Sequence, residues 1–288
     1  MMPCRKNDFE FGVLLPSQDR QRLFSQGVFT THPPLTTDAF ALYIKAASLL
    51  GRVKTFNGQF RYWYTDVVDS ALSASDPGLT YNQERPKSPR LVNEVTKIDP
   101  RNTEEFKSLD ALITAFIANI PREFKDPVDL ATGSKLDPTL YMAHMLPHMA
   151  TITLHDPHAN VFSTRDYSAG KLLSAARAIL ELIYKICSTS FDPLYLDHAS
   201  STGWFIAGVV LIRFLRARTA QRDEAEIARL TQELGTVRFM LSNLGNRTGV
   251  GLRQIKLLEM VYKLEMDSHS ALKYLETTAQ DANWPPES

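Results

Sequence analysis

The sequence predicts an all-α protein, an irregular multi-helix bundle of stacked helices with no sheet. Three observations carry that reading. Apolar residues recur at steps of three and four over long stretches, the period of a helix face. Aspartate, proline and glycine signals punctuate those stretches where helices start and stop. No stretch sustains the apolar–polar alternation of a half-buried strand.

The first 35 residues read as irregular, because Pro3, Pro16, Pro33 and Pro34 break any regular element. Thr37 or Asp38 then reads as an N-cap. Phe40, Tyr43, Ile44, Ala47, Leu50 and Val53 follow at helical spacing until Asn57-Gly58 stops the pattern. A short second helix, Phe60 to Leu72, carries aromatics on one side and Asp66 and Asp69 on the other. Residues 73–100 hold Pro77, Gly78, Pro86, Pro89 and Pro100 among few apolar residues, the composition of a flexible linker.

Helical signals crowd the second half. Asn102 and Glu105 have capping-box spacing, and Phe106, Leu109, Ile113, Phe116 and Ile120 lay an apolar stripe that Pro121 ends. Asp137-Pro138 opens the next helix, which runs through Leu154 and should kink at Pro147; His155-Asp156-Pro157-His158 closes it. A helix from about Ala169 to Ser188 turns Leu172, Leu173, Ala176, Ile179, Leu180 and Ile183 inward. His198 to Ala217 is apolar nearly all round and is expected to be the most buried helix. Asp223 to Leu244 repeats Ile227, Leu230, Leu234, Val237, Leu241 and Leu244, with Gly245 where a left-handed C-cap would fall. A last amphipathic segment begins near Leu252. The chain therefore divides into an irregular segment 1–35, a helical domain 36–280 interrupted at about 73–100, and a disordered tail 281–288. No fixed repeat appears, which disfavours a solenoid.

Composition narrows the function. The 288 residues are 44% hydrophobic and 22% charged, an ordinary globular balance. Lys plus Arg equals Asp plus Glu at 32 each, so the chain lacks the basic surplus by which proteins hold nucleic acid, and no direct DNA contact is expected. Two cysteines, Cys4 and Cys187, are too few for a thiolate zinc site or a disulfide framework. With neither a signal-peptide core near Met1 nor an apolar run longer than Trp204 to Ile212, a soluble intracellular chain without membrane contact is expected.

Four clusters invite a chemical reading. His144 and His148 stand four apart, as zinc-binding histidines on one helix face do, with His155 and His158 nearby. A zinc protease would carry glutamate after the first histidine, where this chain has Met145, so helix packing is the preferred reading. Asp197, His198, Ser200 and Ser201 have the residue types of a hydrolytic triad but are sequence neighbours without a G-x-S-x-G turn. Gly245, Gly249 and Gly251 flank Asn246-Arg247-Thr248, a helix–helix turn that lacks the Gly-Lys-Ser/Thr of a phosphate loop. Arg213, Arg216, Arg218 and Arg222 gather at a helix C-terminus, where cations suit the helix dipole and the acids from Asp223 onward offset them. Arg85, Lys87 and Arg90 in the linker form at most a weak nuclear address. No catalytic, cofactor-binding or metal-binding residue is assigned, and no enzyme is expected.

Four segments resemble the fungal-specific transcription factor domain, the helical middle homology region of binuclear zinc-cluster regulators. They are Thr37 to Ala46 continuing through Leu50 to Asn57; Leu140 to His144 through Leu154-His155-Asp156-Pro157-His158, similar to a helix ending in a Leu-His-x-Pro corner; Ala175 to Leu180; and Phe191-Asp192-Pro193 leading to Trp204–Leu211. Together they span roughly residues 8–265. The resemblance implies a nuclear regulator of RNA polymerase II transcription whose helical domain modulates activation. It implies transcriptional co-regulators or a full-length relative as partners, and a small-molecule effector of unspecified chemistry. Relatives bind zinc through an N-terminal six-cysteine cluster, which two cysteines cannot supply. The chain therefore looks like the later part of such a regulator, or a cluster-less paralogue, with no cofactor of its own. A helical interaction scaffold outside transcription is the alternative, and a metal-dependent enzyme using His144 and His148 is a further one.

Overall fold

Short oxygen-bearing side chains start the helices. Thr103 Oγ1 accepts from Phe106 N at 3.2 Å, and Asp137 Oδ1 accepts from the amides of Thr139 and Leu140 at 2.9 and 3.0 Å. Asp38, Asp166, Asp197 and Asp223 do the same for Ala41, Ala169, Ala199 and Glu226. Each satisfies an amide that the helix itself cannot, a contribution of about 1 kcal/mol apiece.

The computed structural model describes residues 5–12, 25, 27–75, 99–129 and 135–266. Two single turns come first, α1 (Lys6–Glu10) and α2 (Gly27–Thr30). Seven longer helices follow: α3 (Ala39–Ser75), α4 (Glu104–Asn119), α5 (Pro138–His155), α6 (Tyr167–Cys187), α7 (Ala199–Gln221), α8 (Glu224–Gly245) and α9 (Gly249–Met266). The fold is all-α. The strand pairing among the described residues is a two-residue antiparallel ladder, β1 (Val128–Asp129) with β2 (Lys135–Leu136), in the connection to α5.

Helix α5 is the hub. It packs on α3, α4, α6 and α7, while α7, α8 and α9 pack on one another at the far side. Thirteen of the 18 residues of α5 are buried, against 12 of 23 in α7. The most buried helix is thus α5 and not the His198–Ala217 segment, because neighbours surround α5 while Arg216 and Gln221 near the end of α7 reach water. Trp204 of α7 and Tyr141 of α5 are both fully buried, and the indole Nε1 donates to the phenolic oxygen at 2.9 Å. The apolar stripes hold: Phe106, Leu109, Ile113, Phe116 and Ile120 are buried, as are Leu230, Leu234, Val237, Leu241 and Leu244.

Several boundaries differ from the sequence reading. Asn57-Gly58 does not end a helix, since α3 runs through it to Ser75 and absorbs the expected second helix. Asn57 Nδ2 donates to the carbonyl of Thr153 at 2.5 Å, a tertiary bond that outweighs the local stop signal. The cap of α4 is Thr103, one residue after Asn102, which belongs to a preceding 3₁₀ turn. Pro147 lies inside the continuous α5. Gly245 is not a left-handed cap; it is the last residue of α8, and the following Asn246 is right-handed. Its smallness serves a close approach instead, because a Cβ built on Gly245 would lie 3.1 Å from Leu252 N. The left-handed C-cap belongs to Arg222, at φ 57°, ending α7. The N-terminal irregular segment includes α1 and α2, and residues 73–75 belong to α3. Asp99 and Pro100 of the expected linker belong to the 3₁₀ turn before α4, and residues 76–98 with Arg85, Lys87 and Arg90, Cys4, and the expected tail 281–288 lie outside the described residues.

Candidate functional site

The sequence-marked clusters go to structural work. Asp197 Oδ1 accepts from Ala199 N at 2.8 Å ahead of α7, and Ser201 Oγ donates to the carbonyl of His198 at 2.8 Å, so the four triad-type residues form a helix start. Thr248 Oγ1 accepts from Gly251 N at 3.1 Å in the α8–α9 turn, and Arg247 pairs with Asp192 at 2.7 Å. Of the arginines near the end of α7, Arg213 pairs with Asp156 and Arg216 with Glu265, both far away in sequence, while Arg218 reaches Gln221 on its own helix. His144 Nε2 meets the carbonyl of Phe124 at 2.7 Å, which makes that nitrogen the donor. Burial lowers the basicity of both His144 and His148, the latter to about 4. Among the described residues no three His, Cys, Asp or Glu side chains are grouped to hold a metal. The resembled family's six-cysteine zinc cluster does not fit the donor set of this chain.

A different polar centre forms between α4, α5 and α6. Asp110 of α4 takes three side-chain donors. Its Oδ1 accepts from His155 Nε2 and Lys171 Nζ, both at 3.1 Å, and its Oδ2 accepts from Tyr167 Oη at 2.7 Å. Burial pushes the Asp110 carboxyl up, but the hydrogen bonds from His155, Tyr167 and Lys171 overcome that and hold it well below the usual carboxylate range. Because an ionised carboxylate only accepts, His155 carries its proton on Nε2. The other ring nitrogen, Nδ1, meets Ser168 Oγ at 3.1 Å.

Serine, imidazole and carboxylate thus stand in line, yet the arrangement is a bolt. His155 and Ser168 have no exposed surface, so a substrate has no path to the hydroxyl. What the network does is join the C-terminus of α5 to α4 and to the first turn of α6. Edge-to-face contacts of the His155 ring with Phe106 and Tyr167, at 5.2 and 5.8 Å, complete the joint. Arg101 repeats the theme, reaching Asp99, the carbonyl of His158 and the α6 cap Asp166.

In front of the joint lies an open groove of about 630 Å³ between the outer faces of α4 and α6. Phe106, Ala111, Ala115 and Ala118 contribute its apolar wall, and Asp110, Tyr167 and Lys171 its polar end. Lys171 also donates to Thr114 Oγ1 at 3.0 Å and lies 5.4 Å from the Tyr167 ring centroid. The volume is that of an ordinary small-molecule or short-segment site.

Of this centre the sequence marked only His155. Asp110 was the signal to find, a lone acid adjoining Leu109 on the edge of the α4 stripe. Comparison with known proteins finds no matching family, no matching curated protein and no matching solved structure.

Proposed function

We propose that this chain is the regulatory, non-enzymatic helical domain of a fungal zinc-cluster-type transcription regulator, working in the nucleus through partner or effector binding. The partners proposed for it are transcriptional co-regulators or a full-length relative. One observation carries the reading. The segment Leu140–His158, which resembles the family's helix with a Leu-His-x-Pro corner, makes the central helix α5 and the His155 joint at its end. The resemblance therefore falls on residues that organise a scaffold. The joint's inaccessible Ser168 supports a non-catalytic role, and no helix among the described residues is long and apolar enough to cross a membrane.

The test is a tethering assay. Fused to an unrelated DNA-binding domain in a fungal cell, the full chain is expected to shift reporter transcription severalfold relative to that domain alone. Affinity capture of the same fusion is expected to recover transcriptional co-regulators. An unchanged reporter together with no co-regulator recovered overturns the proposal.

The second reading is a helical interaction scaffold outside transcription, favoured by the open groove between α4 and α6. Recovery of partners with no role in transcription, with the reporter flat, selects it.

A further inference from the structure

A lysine sits in the core. Lys45 of α3 has no exposed surface, and its ammonium donates to the carbonyl of Thr31 at 3.0 Å and meets His32 Nδ1 at 3.3 Å. Both partners are neutral acceptors, so the structure seats a cation in the interior without a carboxylate against it. A protonated Lys45 requires His32 Nδ1 to accept, leaving the ring proton on Nε2.

Thr31 and His32 belong to the segment that follows α2, and several contacts clasp it to the bundle. Val28 and Phe29 are buried, and the Arg52 guanidinium lies 4.5 Å from the Phe29 ring centroid. Asn119 Nδ2 of α4 donates to the carbonyl of Thr30 at 2.9 Å, and the His32 ring stands edge-on to Phe116 at 5.2 Å.

The elements around α3 offer Lys45 little countercharge. Helix α2 carries no charged residue, and α4 carries none after Asp110. Helix α5 has no Asp, Glu, Lys or Arg, and its titratable groups are Tyr141, His144, His148 and His155. Tyr141, His144 and His155 are bonded to Trp204, Phe124 and the Asp110–Ser168 pair. On α3 and its approach, Asp38 caps Ala41 and takes Lys6 N, while Arg52 lies over Phe29.

We propose that Lys45 and His32 form a charge-controlled latch, in which protonation loosens residues 27–37 from α3 and α4 and proton loss tightens them. Adding a proton to His32 converts its Nδ1 from acceptor to donor and sets two cations 3.3 Å apart. Removing one from Lys45 leaves an amine that still donates to Thr31 but no longer needs hydration. Burial pushes Lys45 down to about 8, and burial together with the Lys45 charge pushes His32 down to about 4. Both groups bind protons more readily with the latch open, so falling pH favours opening in two windows, an alkaline one through Lys45 above about 8 and an acidic one through His32 below its ordinary value.

Hydrogen exchange of the full chain, corrected for the intrinsic pH dependence of amide chemistry, reads the latch directly. Protection of peptides covering residues 27–37 is expected to fall at least about tenfold from about pH 9 to about pH 5, while peptides from α5 keep theirs. Lys45→Met is expected to raise protection of residues 27–37 severalfold at neutral pH and to remove the alkaline part of the profile. A flat wild-type profile for residues 27–37, or one that only parallels α5, overturns the latch. So does a Lys45→Met variant that unfolds, because a cation whose loss collapses the bundle is a fastening rather than a release.

Discussion

Trp204 and Tyr141 share a hydrogen bond that joins two fully buried aromatic side chains across α5 and α7, with the indole nitrogen 2.9 Å from the phenolic oxygen. The bond satisfies a donor that has no water to turn to.

Tyr141→Phe keeps the shape of the site and strands the indole N–H. A loss of about 1–3 kcal/mol is expected, the desolvation cost of a buried unpaired donor. Chemical denaturation measures it. Trp204→Phe, which removes the donor but opens a void, should cost more, by the cavity left behind.

Asp110→Asn breaks the joint in another way. Lys171 and His155 lose an anion and keep at most one amide oxygen, for an expected loss of about 2–3 kcal/mol. The pH signature is distinctive. The folded-state pKa of Asp110 is lowered, so its contribution is present above the unfolded value and lost as pH falls through the acid range below about 4. Stability curves of wild type and variant should therefore converge on acidification, and parallel curves would refute the assignment.

Leu234 is 1% exposed on the inner face of α8. Leu234→Glu buries an unpaired charge and is expected to cost on the order of 3–5 kcal/mol. An unchanged melting temperature would refute this.

Arg222 holds a left-handed conformation that L side chains adopt at a cost, with its amide bonded back to the carbonyls of Arg218 and Thr219. Arg222→Gly should raise stability by about 1 kcal/mol, contrary to the usual effect of adding glycine. A lower melting temperature would show that the arginine side chain matters more than its backbone.

Gly251 faces the backbone of α8, where an added Cβ would lie 2.6 Å from the carbonyl carbon of Leu244. Gly251→Ala is expected to force α8 and α9 apart at their corner and cost about 1–3 kcal/mol. Calorimetry on the full chain measures it, and a neutral result would mean the corner yields freely.

The sequence by itself determined the fold class, most of the longer helices and most of the core. Periodicity and capping are local, and residues such as Leu234, Phe116 and Asp137 behave as their neighbours dictate. Boundaries failed where a distant residue intervened, as Thr153 does for Asn57. Tertiary structure alone decided the rest. Asp110, His155 and Lys171 lie on three helices, and nothing in their spacing reveals that one carboxylate gathers them. Lys45 looks in sequence like an ordinary surface lysine, and only the packing of α3 beneath the α2 segment makes it a buried cation. Helix formation needs a few consecutive residues, whereas desolvation and pairing of a charge depend on whatever the fold brings within a few ångströms.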